Sequence, residues 1–574
     1  MLDRFAIARA LREIASLLEL KGENPFRARA YDNGARSLEK LTDEELARLV
    51  DEKRLTEVKG IGTALAALIA ELFLTGHSAF LDELRAALPP GLIELAQVPD
   101  LGPRKIQALH EALGITSVAA LKAACEAGQV RGLKGFGEKS EEKILEGIQR
   151  YETREERMLL VHALELGEPL LAHVRACPAV HCADLAGSAR RWKETVADLD
   201  IVAGSLAPTD VMDHFASHPS IERVEARGDT KCTVRLGTGF QVDLRVVPPV
   251  DYGTALHHFT GSKDHHVRLR GLARERGLTV SEWGVVRLES GDKLEVPSEE
   301  ALYQQLGLPY IPPELRENEG EIEAALAGER FDDLVRLEDI QGMVHCHTTF
   351  SDGKNSIEEM ARAAEAMGMK YLTITDHSPT AAYAGGVKFD DLLRQWDEIA
   401  RVQEKVKVRL LRGTESDILE DGALDYPDAV LEKFDVIIAS IHSRMRMDED
   451  QMTRRLIGAM RQPWFKIWGH ALGRLIQKRD PFACRVEEVL DVVADSRAAV
   501  EINGDPYRLD MEPRWIREAR RRGIRFVIST DAHSVDALRN LRFGVGIARR
   551  GGVRRSEVIN VKDAEGFRRE VRPS

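Results

Sequence analysis

The sequence has few cysteines and no stretch that is both long and apolar. Its 574 residues include six cysteines and no Cys-x-x-Cys pair, so we expect neither a disulfide scaffold nor a zinc ribbon. No apolar run reaches the length of a transmembrane helix, and the first residues lack the pattern of a signal peptide. We therefore expect a protein of the reducing cytoplasm that has no membrane partner.

An excess of positive charge and low-complexity sequence are also absent. The formal net charge is −13, which is the wrong sign for indiscriminate binding to nucleic acid. The charge argues against a purely electrostatic, histone-like protein. It remains compatible with a DNA enzyme whose basic residues are local and whose acids hold metals. The length itself predicts about three to five domains.

The most informative stretch places two carboxylates on one face of a predicted strand. Alternation along the apolar run around Leu199 and Ile201 sends Asp198 and Asp200 to the same side. Neighbouring carboxylates repel each other, and a pair of Mg²⁺ ions would relieve that repulsion. An isolated Asp-x-Asp is more often a solvated strand edge. Here a Gly-Ser turn with two arginines precedes the acids, and such turns suit phosphate oxygens.

A short apolar-x-x-apolar-Gly pattern occurs three times near the beginning of the chain. It occupies residues 58–62, 98–102 and 133–137. Predicted amphipathic helices follow at residues 63–74, 103–113 and 140–151. Glycines in such turns let backbone N–H groups face a phosphate. One turn could be an ordinary helix corner, but three favour binding to the DNA backbone without sequence preference. The candidate DNA-contacting glycines are Gly60, Gly62, Gly102, Gly135 and Gly137.

Beyond residue 338, apolar runs alternate with helical stretches, which predicts a parallel sheet with crossover helices, closed into a barrel. Every histidine in this part lies at or just after the end of one of these runs, where barrel enzymes gather their catalytic groups. Mixed imidazole and carboxylate ligands suit Mn²⁺, Zn²⁺ or Fe. The nine candidate metal ligands are His345, His347, Asp352, His377, Glu415, His442, His470, Asp531 and His533.

The Asp198 and Asp200 pair, the later acid Asp243 and the motif Phe259-Thr260-Gly261-Ser262 stand in the order found in DNA polymerase family X. The sequence therefore resembles these nucleotidyltransferases, relatives of DNA polymerase beta. The glycine turns resemble the helix-hairpin-helix module, and the last third resembles the polymerase and histidinol phosphatase (PHP) domain. The resemblance implies a multidomain fold. It would comprise an α-helical helix-hairpin-helix region, an α+β palm and thumb, and a C-terminal α/β distorted TIM-like barrel.

The resemblance also implies domain boundaries and a function. The implied domains are residues 1–85 (8-kDa-like, DNA-binding), 86–152 (fingers-like), 153–250 (palm), 251–312 (thumb), 313–338 (linker) and 339–574 (PHP). The function would be a DNA polymerase that fills short gaps in base excision repair. The PHP domain would add a metal-dependent 3′-5′ exonuclease, with incision at abasic sites as a further activity. Two alternatives stay open: a DNA-targeted PHP phosphoesterase and a non-catalytic repair scaffold.

Family membership would give each motif a role. Asp198, Asp200 and Asp243 would be catalytic and hold two Mg²⁺ or Mn²⁺ ions. The residues that would contact the nucleotide are Arg154, Gly187, Ser188, Arg191, Phe259 and Gly261. Arg27 and Tyr31 would hold the 5′-phosphate of a DNA gap. The barrel would hold up to three ions: one on His345, His347, Glu415 and Asp531, one on Glu415, His442 and His470, and one on Asp352, His377 and His533. The implied partners are gapped or primed DNA, dNTPs and a monovalent cation at the hairpins, bound by a monomer.

A departure from the family pattern predicts little lyase activity. Relatives that excise a 5′-deoxyribose phosphate use a lysine on the helix after the first hairpin, where its amine forms a Schiff base. Here residues 63–74 contain no lysine, and Leu68 stands at the aligned position. We expect weak or absent borohydride trapping on an incised abasic duplex, with the 5′-phosphate still bound through Arg27 and Tyr31. Strong trapping that maps to Lys59 would contradict this prediction.

Overall fold

The structure is a computed structural model. It describes residues 4–39, 41, 43–87, 90–96, 98, 101–133, 135–152 and 157–572. The chain divides into two compact units. The first consists of Met1–Arg157, Ala216–Arg227 and Cys232–Val242, and the second of Met158–Phe215, Gly228–Lys231 and Asp243–Ser574.

The first unit is mainly helical. Helices α1 to α9 span Arg4–Leu20, Pro25–Glu39, Asp43–Asp51, Thr63–Thr75, Ala79–Ala86, Pro90–Leu95, Pro103–Leu113, Val118–Glu126 and Glu138–Glu152. Apolar residues at helical spacing on α1, such as Leu11 and Leu18, are fully buried. A Cβ at Gly34 of α2 would lie 2.3 Å from Leu65 Cδ2 of α4, so the glycine lets these helices approach closely. In the described part of the chain no single helix could span a membrane. Only α4 and Ala79–Arg85, bent by 96°, reach the length and composition together.

Each of the three predicted hairpin turns leads directly into a helix. Gly62 precedes α4, Gly102 precedes α7 and Gly137 precedes α9. Gly60 and Gly135 have φ angles of +93° and +90°, a backbone conformation that glycine adopts without steric cost. At Gly60 and Gly135 the described backbone therefore has a conformation that favours glycine.

The second unit begins with the palm. Its elements are β1 (Met158–Leu159), α10 (Leu160–Ala176), β2 (Cys182–Leu185), α11 (Gly187–Arg190), β3 (Thr195–Val196), β4 (Leu199–Gly204) and α12 (Pro208–Ala216), followed by β5 (Ile221–Arg227), β6 (Lys231–Leu236) and β7 (Gln241–Val247). Strand β4 lies between β2 and β7, and β2 runs antiparallel to it. The antiparallel pair of β5 and β6 belongs mostly to the first unit. Because β4 and β7 are neighbours, Asp200 and Asp243 lie on adjacent strands.

The thumb follows, and the predicted linker is part of its folded structure. The elements are α13 (Tyr252–Thr260), α14 (Lys263–Glu275), β8 (Leu278–Ser281), β9 (Gly284–Arg287), β10 (Lys293–Leu294), α15 (Glu299–Gln305) and α16 (Glu321–Leu326). Arg316 is fully buried, and its Nη1 donates to Glu299 Oε1 at 2.5 Å. Ile322 and Ala325 of α16 pack in the same apolar cluster as the thumb. Residues 313–338 therefore form a folded connection where the composition predicts a linker.

The rest of the second unit is a barrel of seven parallel strands in chain order. Its elements are β11 (Gly342–Met343), α17 (Ile357–Ala366), β12 (Tyr371–Ile374), α18 (Phe389–Gln403), β13 (Arg409–Asp417), α19 (Asp428–Leu431), β14 (Val436–Ser440), α20 (Glu449–Met460), β15 (Lys466–Trp468), α21 (Val486–Ala494), β16 (Ala498–Asn503), α22 (Pro513–Arg521), β17 (Phe526–Ser529), α23 (Leu541–Arg550) and α24 (Ala564–Val571). Cys346 after β11 pairs in parallel with Ala532 after β17, which nearly closes the barrel. Burial of the strands under helices explains their continuous apolar runs, and the predicted fold class is confirmed.

Candidate active sites

The nine predicted metal ligands of the barrel come together at the C-terminal ends of its strands. Parallel strands carry these ends to one face of a barrel, so residues far apart in sequence meet there. By strand, they are His345, His347 and Asp352 after β11, His377 after β12, Glu415 in β13, His442 after β14, His470 after β15, and Asp531 with His533 after β17.

The carboxylate of Glu415 lies at the centre of this cluster and is fully buried. Its Oε1 lies 2.8 Å from His470 Nε2. The same oxygen lies 3.3 Å from the Nε2 atoms of His345 and His442. On its far side, His442 Nδ1 donates to Asp417 Oδ1 at 2.5 Å. One oxygen of Glu415 therefore faces three imidazoles, which is compatible with the predicted sharing of Glu415 between two cations.

The second oxygen of Glu415 faces a different pair of imidazoles. Its Oε2 lies 3.5 Å from His347 Nε2 and 2.9 Å from His377 Nδ1. Asp531 Oδ1 lies 3.3 Å from His347 Nε2 and 3.5 Å from His345 Nε2. Donor atoms of His345, His347 and Asp531 lie within 4.8 Å of one another. This grouping suits one of the predicted ions.

A further group forms around Asp352. Its Oδ1 lies 3.3 Å from His533 Nε2 and 3.6 Å from His377 Nε2. His347 Nδ1 is 3.8 Å from the same oxygen. Donor atoms of these four residues fall within 4.8 Å of one another. The assignment of each ligand to a particular ion stays a prediction.

The donor set fits divalent cations. The Nε2 atoms of His345 and His347 and the Oε2 of Glu415 are buried and have no hydrogen-bond partner among the described residues. His345 Nδ1 donates to Glu501 Oε1 at 2.5 Å, which leaves the Nε2 lone pair directed at the cluster. Hydrogen bonding of the second ring nitrogen to a carboxylate is the usual way a metal-binding histidine is oriented.

Proton affinities in the barrel centre reflect the crowding of acids and imidazoles. Burial opposes a charged His345, but Glu501, Asp531 and Glu415 outweigh it and raise its pKa well above the usual value. Burial likewise opposes a charged His442, yet Glu415 and Asp417 raise its pKa to about 10. Protonated imidazoles cannot bind a metal, so metal binding must release these protons and weakens at low pH.

Glu501 and Arg508 belong to this centre although no motif pointed to them. Glu501 Oε1 also accepts from Ser529 Oγ at 2.6 Å, and Arg508 Nε lies 3.4 Å from Asp531 Oδ2. The one available signal for Glu501 was an acid inside the apolar run of β16. The backbone is also unusual here, because His345, His470 and Asp531 have φ angles of +65°, +25° and +51°. Residues other than glycine adopt such angles at a cost, mostly at functional sites.

In the palm, the predicted catalytic acids gather beside the Gly-Ser turn. Burial, followed by the charges of Asp198 and Asp243, raises the pKa of Asp200 to about 7. Gly187 has a φ of +60°, and a Cβ there would lie 2.5 Å from Asp200 Oδ2. Glycine therefore lets the turn that carries Ser188 lie directly against the carboxylates. A phosphate held by this turn would be next to any cation bound by the acids.

Lys231 is a further residue of the palm site that the sequence did not single out. Its Nζ lies 2.7 Å from Asp243 Oδ2, and its charge also lowers the pKa of Asp200, against the larger effect of burial. The ammonium therefore offsets part of the negative charge that the three acids concentrate. Lys231 is the first residue of β6 and belongs to none of the motifs.

The predicted nucleotide contacts meet at the end of α13. Arg191 Nη1 donates to the carbonyl of Thr260, and its Nε donates to Glu317 Oε1 at 3.1 Å. A Cβ at Gly261 would lie 3.0 Å from Arg191 Nη1, so glycine permits this approach. The Arg245 guanidinium lies over the Phe259 ring, 5.0 Å from its centroid.

Among the other predicted contacts, Arg154 falls outside the described residues. Arg27 and Tyr31 belong to the first unit. They lie one turn apart on α2, and both contact Phe80. The guanidinium is 5.4 Å from the centroid of that ring, and the two aromatic rings are 6.2 Å apart. Arg27 also pairs with Glu23 at 2.6 Å. Leu68 of α4 is buried, and the weak lyase activity stays a prediction.

The residue after the nucleotide-site arginines joins the palm to the barrel. Trp192 packs edge-on against Phe543 of α23, with ring centroids 5.8 Å apart. A Cβ at Gly546 of the same helix would lie 2.4 Å from Trp192 Cε3, so the indole occupies a notch that only glycine provides. Nearby, Arg474 Nη2 donates to Glu194 Oε1 at 2.8 Å. The barrel therefore supports the segment that carries Arg191.

Known protein families match along most of the chain. They are a helix-hairpin-helix domain over residues 3–78, a SAM-like helix-hairpin-helix tandem over 92–150, the DNA polymerase beta thumb over 255–317 and the PHP domain over 344–505. The chain is 38% identical over 567 residues to the DNA polymerase/3′-5′ exonuclease PolX of Bacillus subtilis, and the match covers 98% of each chain. The chain belongs to the PolX family.

Two other relatives each cover part of this PolX architecture. DNA polymerase lambda of Rattus norvegicus is 27% identical over 294 residues, covering 45% of this chain and 48% of its own. A probable phosphatase of Caldanaerobacter subterraneus is 30% identical over 201 residues, covering 33% of this chain and 74% of its own. The predicted resemblance to family X polymerases with a fused PHP domain is confirmed, and PolX membership implies the use of divalent metals.

The raised pKa of Asp200 predicts a pH-dependent metal site in the palm. Below about pH 7 the carboxyl group holds a proton that a cation must displace, so Mn²⁺ affinity should fall about tenfold per pH unit. EPR-detected Mn²⁺ titration of the wild type and of Asp200→Asn checks this. Ions bound by the barrel contribute equally to both proteins, so the difference in bound Mn²⁺ between wild type and Asp200→Asn reports on the palm alone. If this difference in bound Mn²⁺ is the same at about pH 8 and at about pH 6, the prediction is contradicted.

Proposed function

We propose that the chain is a DNA polymerase that fills short gaps during base excision repair and that also has metal-dependent 3′-5′ exonuclease activity. One observation carries the proposal. The chain is related over 98% of its length to a DNA polymerase/3′-5′ exonuclease and has a candidate centre for each activity. Incision at abasic sites is a further activity that the barrel centre suits.

Nucleotide addition is assigned to the palm. Asp198, Asp200 and Asp243 would hold two Mg²⁺ or Mn²⁺ ions, which stabilise the attacking and leaving oxygens of phosphoryl transfer when bound. The protein's own part is to bind and orient the dNTP. Arg191 is held by Glu317 and the Thr260 carbonyl and would exchange this carboxylate for the triphosphate. Arg154, together with Ser188 on its glycine turn, completes the proposed triphosphate site.

Removal of 3′ nucleotides is assigned to the barrel, with up to three ions of Mn²⁺, Zn²⁺ or Fe on its nine ligands. Such ions supply Lewis acidity and lower the pKa of water. Glu501 and Asp417 hold the rings of His345 and His442 in place. Arg508 beside Asp531 supplies a fixed positive charge for the phosphate that is cleaved.

DNA binding by the helical region needs no base contacts. Backbone N–H groups at Gly60, Gly62, Gly102, Gly135 and Gly137 would hold phosphates, with a monovalent cation at the hairpins. Helix N-termini are favourable sites for such anions. Arg27 and Tyr31 would hold the 5′-phosphate of the gap. The protein would act on gapped or primed DNA as a cytoplasmic monomer and use dNTPs.

The similarity of the barrel to a probable phosphatase favours one alternative function, a DNA-targeted phosphoesterase. In this alternative the barrel hydrolyses a phosphate ester, and the helical region only brings the barrel to DNA. The full set of nine ligands argues against the third possibility, a non-catalytic scaffold. A gapped duplex with dNTPs and Mg²⁺ or Mn²⁺ separates the three. A polymerase with exonuclease extends and shortens the primer, a phosphatase only releases phosphate, and a scaffold does neither.

Separate centres predict separable activities. Asp200→Ala should reduce nucleotide addition by more than about 100-fold while primer shortening continues, because even residues that only orient metal ligands contribute about 10–100-fold. The double variant His345→Ala, His347→Ala should lose primer shortening and keep nucleotide addition. Extension and shortening of the primer on one gapped duplex measure the two activities together. The exposed residues Asp210 and His181 provide matched control substitutions to alanine. Loss of both activities in a folded Asp200→Ala protein would refute the assignment.

The notch at Gly546 predicts that a change in the barrel alters nucleotide addition. Gly546→Val would displace the Trp192 indole and with it Arg191. We expect the KM for dNTP to rise about tenfold, since misplacement by about 1 Å can cost up to about 100-fold, while primer shortening continues. Trp192→Phe should retain more activity than Trp192→Ala. Gly271→Val is the matched control, because a Cβ there meets no atom within 4 Å. An unchanged KM in folded Gly546→Val would refute the coupling.

A further inference from the structure

A cavity of about 410 Å³ lies between the barrel and the connection to the thumb. Helix α22, the end of α23 and residues from Leu315 to Phe331 contribute to its walls. None of the proposed ligands of either metal centre lines it. Five arginines and three glutamates do. The arginines are Arg517, Arg520, Arg521, Arg550 and Arg554. The lining therefore has an excess of positive charge, unlike the chain as a whole.

Arg550 is the cavity arginine whose buried hydrogen-bond donors are least satisfied. Its side chain is only 8% exposed, and its buried Nε has no hydrogen-bond partner among the described residues. The nearest acid, Glu317, lies 3.7 Å from its Nη2 and already accepts from Arg191. Burial lowers the pKa of Arg550 in spite of Glu317. A buried donor left without an acceptor is costly, so an acceptor supplied from the cavity would stabilise this arginine.

Arg520 keeps part of its hydrogen-bonding capacity on the cavity side. Arg520 donates to Glu557 through Nε alone, at 2.8 Å. A Cβ at Gly552 would lie 2.8 Å from Arg520 Nη1, so glycine leaves room for this nitrogen at the wall. Arg521 pairs with Glu518 outside the cavity. Arg554 pairs with Asp333 outside the cavity and with Glu329 on its lining, so it has less capacity left for a ligand. Helix C-termini attract cations, and Arg520 and Arg521 lie in the last turn of α22 as Arg550 does in that of α23.

Arg517 carries the most readily displaced contact. Its Nη2 lies 2.7 Å from Glu319 Oε2, and its Nη1 donates to the carbonyl of Arg550 at 3.3 Å. Glu319 is exposed and lines the cavity. Exposed ion pairs contribute about 1 kcal/mol or less. A ligand with two or more negative charges can therefore replace this carboxylate.

We propose that the cavity binds a small phosphate anion of the di- or triphosphate class through Arg517, Arg520 and Arg550. Planar guanidinium groups match phosphate oxygens in pairs. Ligand sites of roughly 300–1,000 Å³ accept small molecules, and a cavity of about 410 Å³ accommodates a free polyphosphate but not duplex DNA. The site uses none of the residues assigned to the proposed polymerase and nuclease centres, although Arg550 shares the neighbour Glu317 with Arg191.

Calorimetric titration of inorganic pyrophosphate into the full chain tests the site. A chelator keeps divalent metals away from the two proposed centres. Arg517→Ala and Arg520→Ala should each weaken binding by about tenfold or more, the effect of losing one charge-assisted hydrogen bond. Glu319→Gln should strengthen binding, because it removes the acid that competes for Arg517. Arg514→Ala is the matched control, an exposed arginine on α22 that does not line the cavity.

The outcomes separate the site from other sources of binding. Pyrophosphate held at the proposed nucleotide site would bind equally well to Arg517→Ala, so unchanged affinity in that variant refutes the proposal. Equal weakening in Arg514→Ala would show non-specific attraction and also refute it. An oligothymidylate that binds with the same Arg517 dependence and displaces pyrophosphate would identify single-stranded DNA as the ligand and overturn the small-anion assignment. Glu319→Gln gives a gain of affinity that a folding defect cannot imitate.

Discussion

The barrel centre depends on the neutralisation of one buried carboxylate, that of Glu415. Five histidines place a ring nitrogen 2.8 to 3.5 Å from its oxygens. Burial disfavours the charged carboxylate, but the histidines lower its pKa well below the usual value. Glu501, Asp417 and Asp531 add further negative charge within hydrogen-bonding distance of the same imidazoles. Such a cluster of acids is stable only with compensating positive charge, which protons or divalent cations supply. The fold of this end of the barrel therefore depends on that charge, and the barrel in turn brings the ligands together.

The palm also concentrates carboxylates, but basic residues rather than histidines lie beside them. Its three acids have no histidine in their motif, and Lys231 and Arg245 supply the nearby positive charge. All-oxygen donors suit hard cations such as Mg²⁺, whereas imidazoles extend the range to transition metals. Burial, followed by the charges of Asp198 and Asp243, raises the pKa of Asp200, and the basic residues offset these effects only in part. The chain therefore contains two candidate metal centres that differ in donor type, and a substitution can change one of them without changing the other.

Local patterns in the sequence were sufficient for much of the fold and of the site residues. Glycine turns and apolar periodicity predicted the hairpin helices and the barrel, because both depend on neighbours in sequence. Residues defined by tertiary contact could not be predicted. Glu501 meets His345 across 156 positions, and the Gly546 notch is recognisable only once Trp192 lies in it. Arg316 belongs to a segment with linker composition, and its burial follows from pairing with Glu299. Charged residues in such segments are usually solvated, so no local pattern distinguishes the exceptions.

The contacts between palm, thumb and barrel also bear on how a primer end passes from one centre to the other. Within the second unit, Arg549 Nε lies 2.6 Å from Glu314 Oε1. Arg474, whose side chain is 7% exposed, pairs with Glu194 at 2.8 Å. Movement of the barrel away from the palm would separate these pairs and expose the Trp192 indole. Movement of the DNA end requires none of these contacts to break, so transfer of the primer terminus, rather than a swing of the barrel, is the route that this arrangement favours.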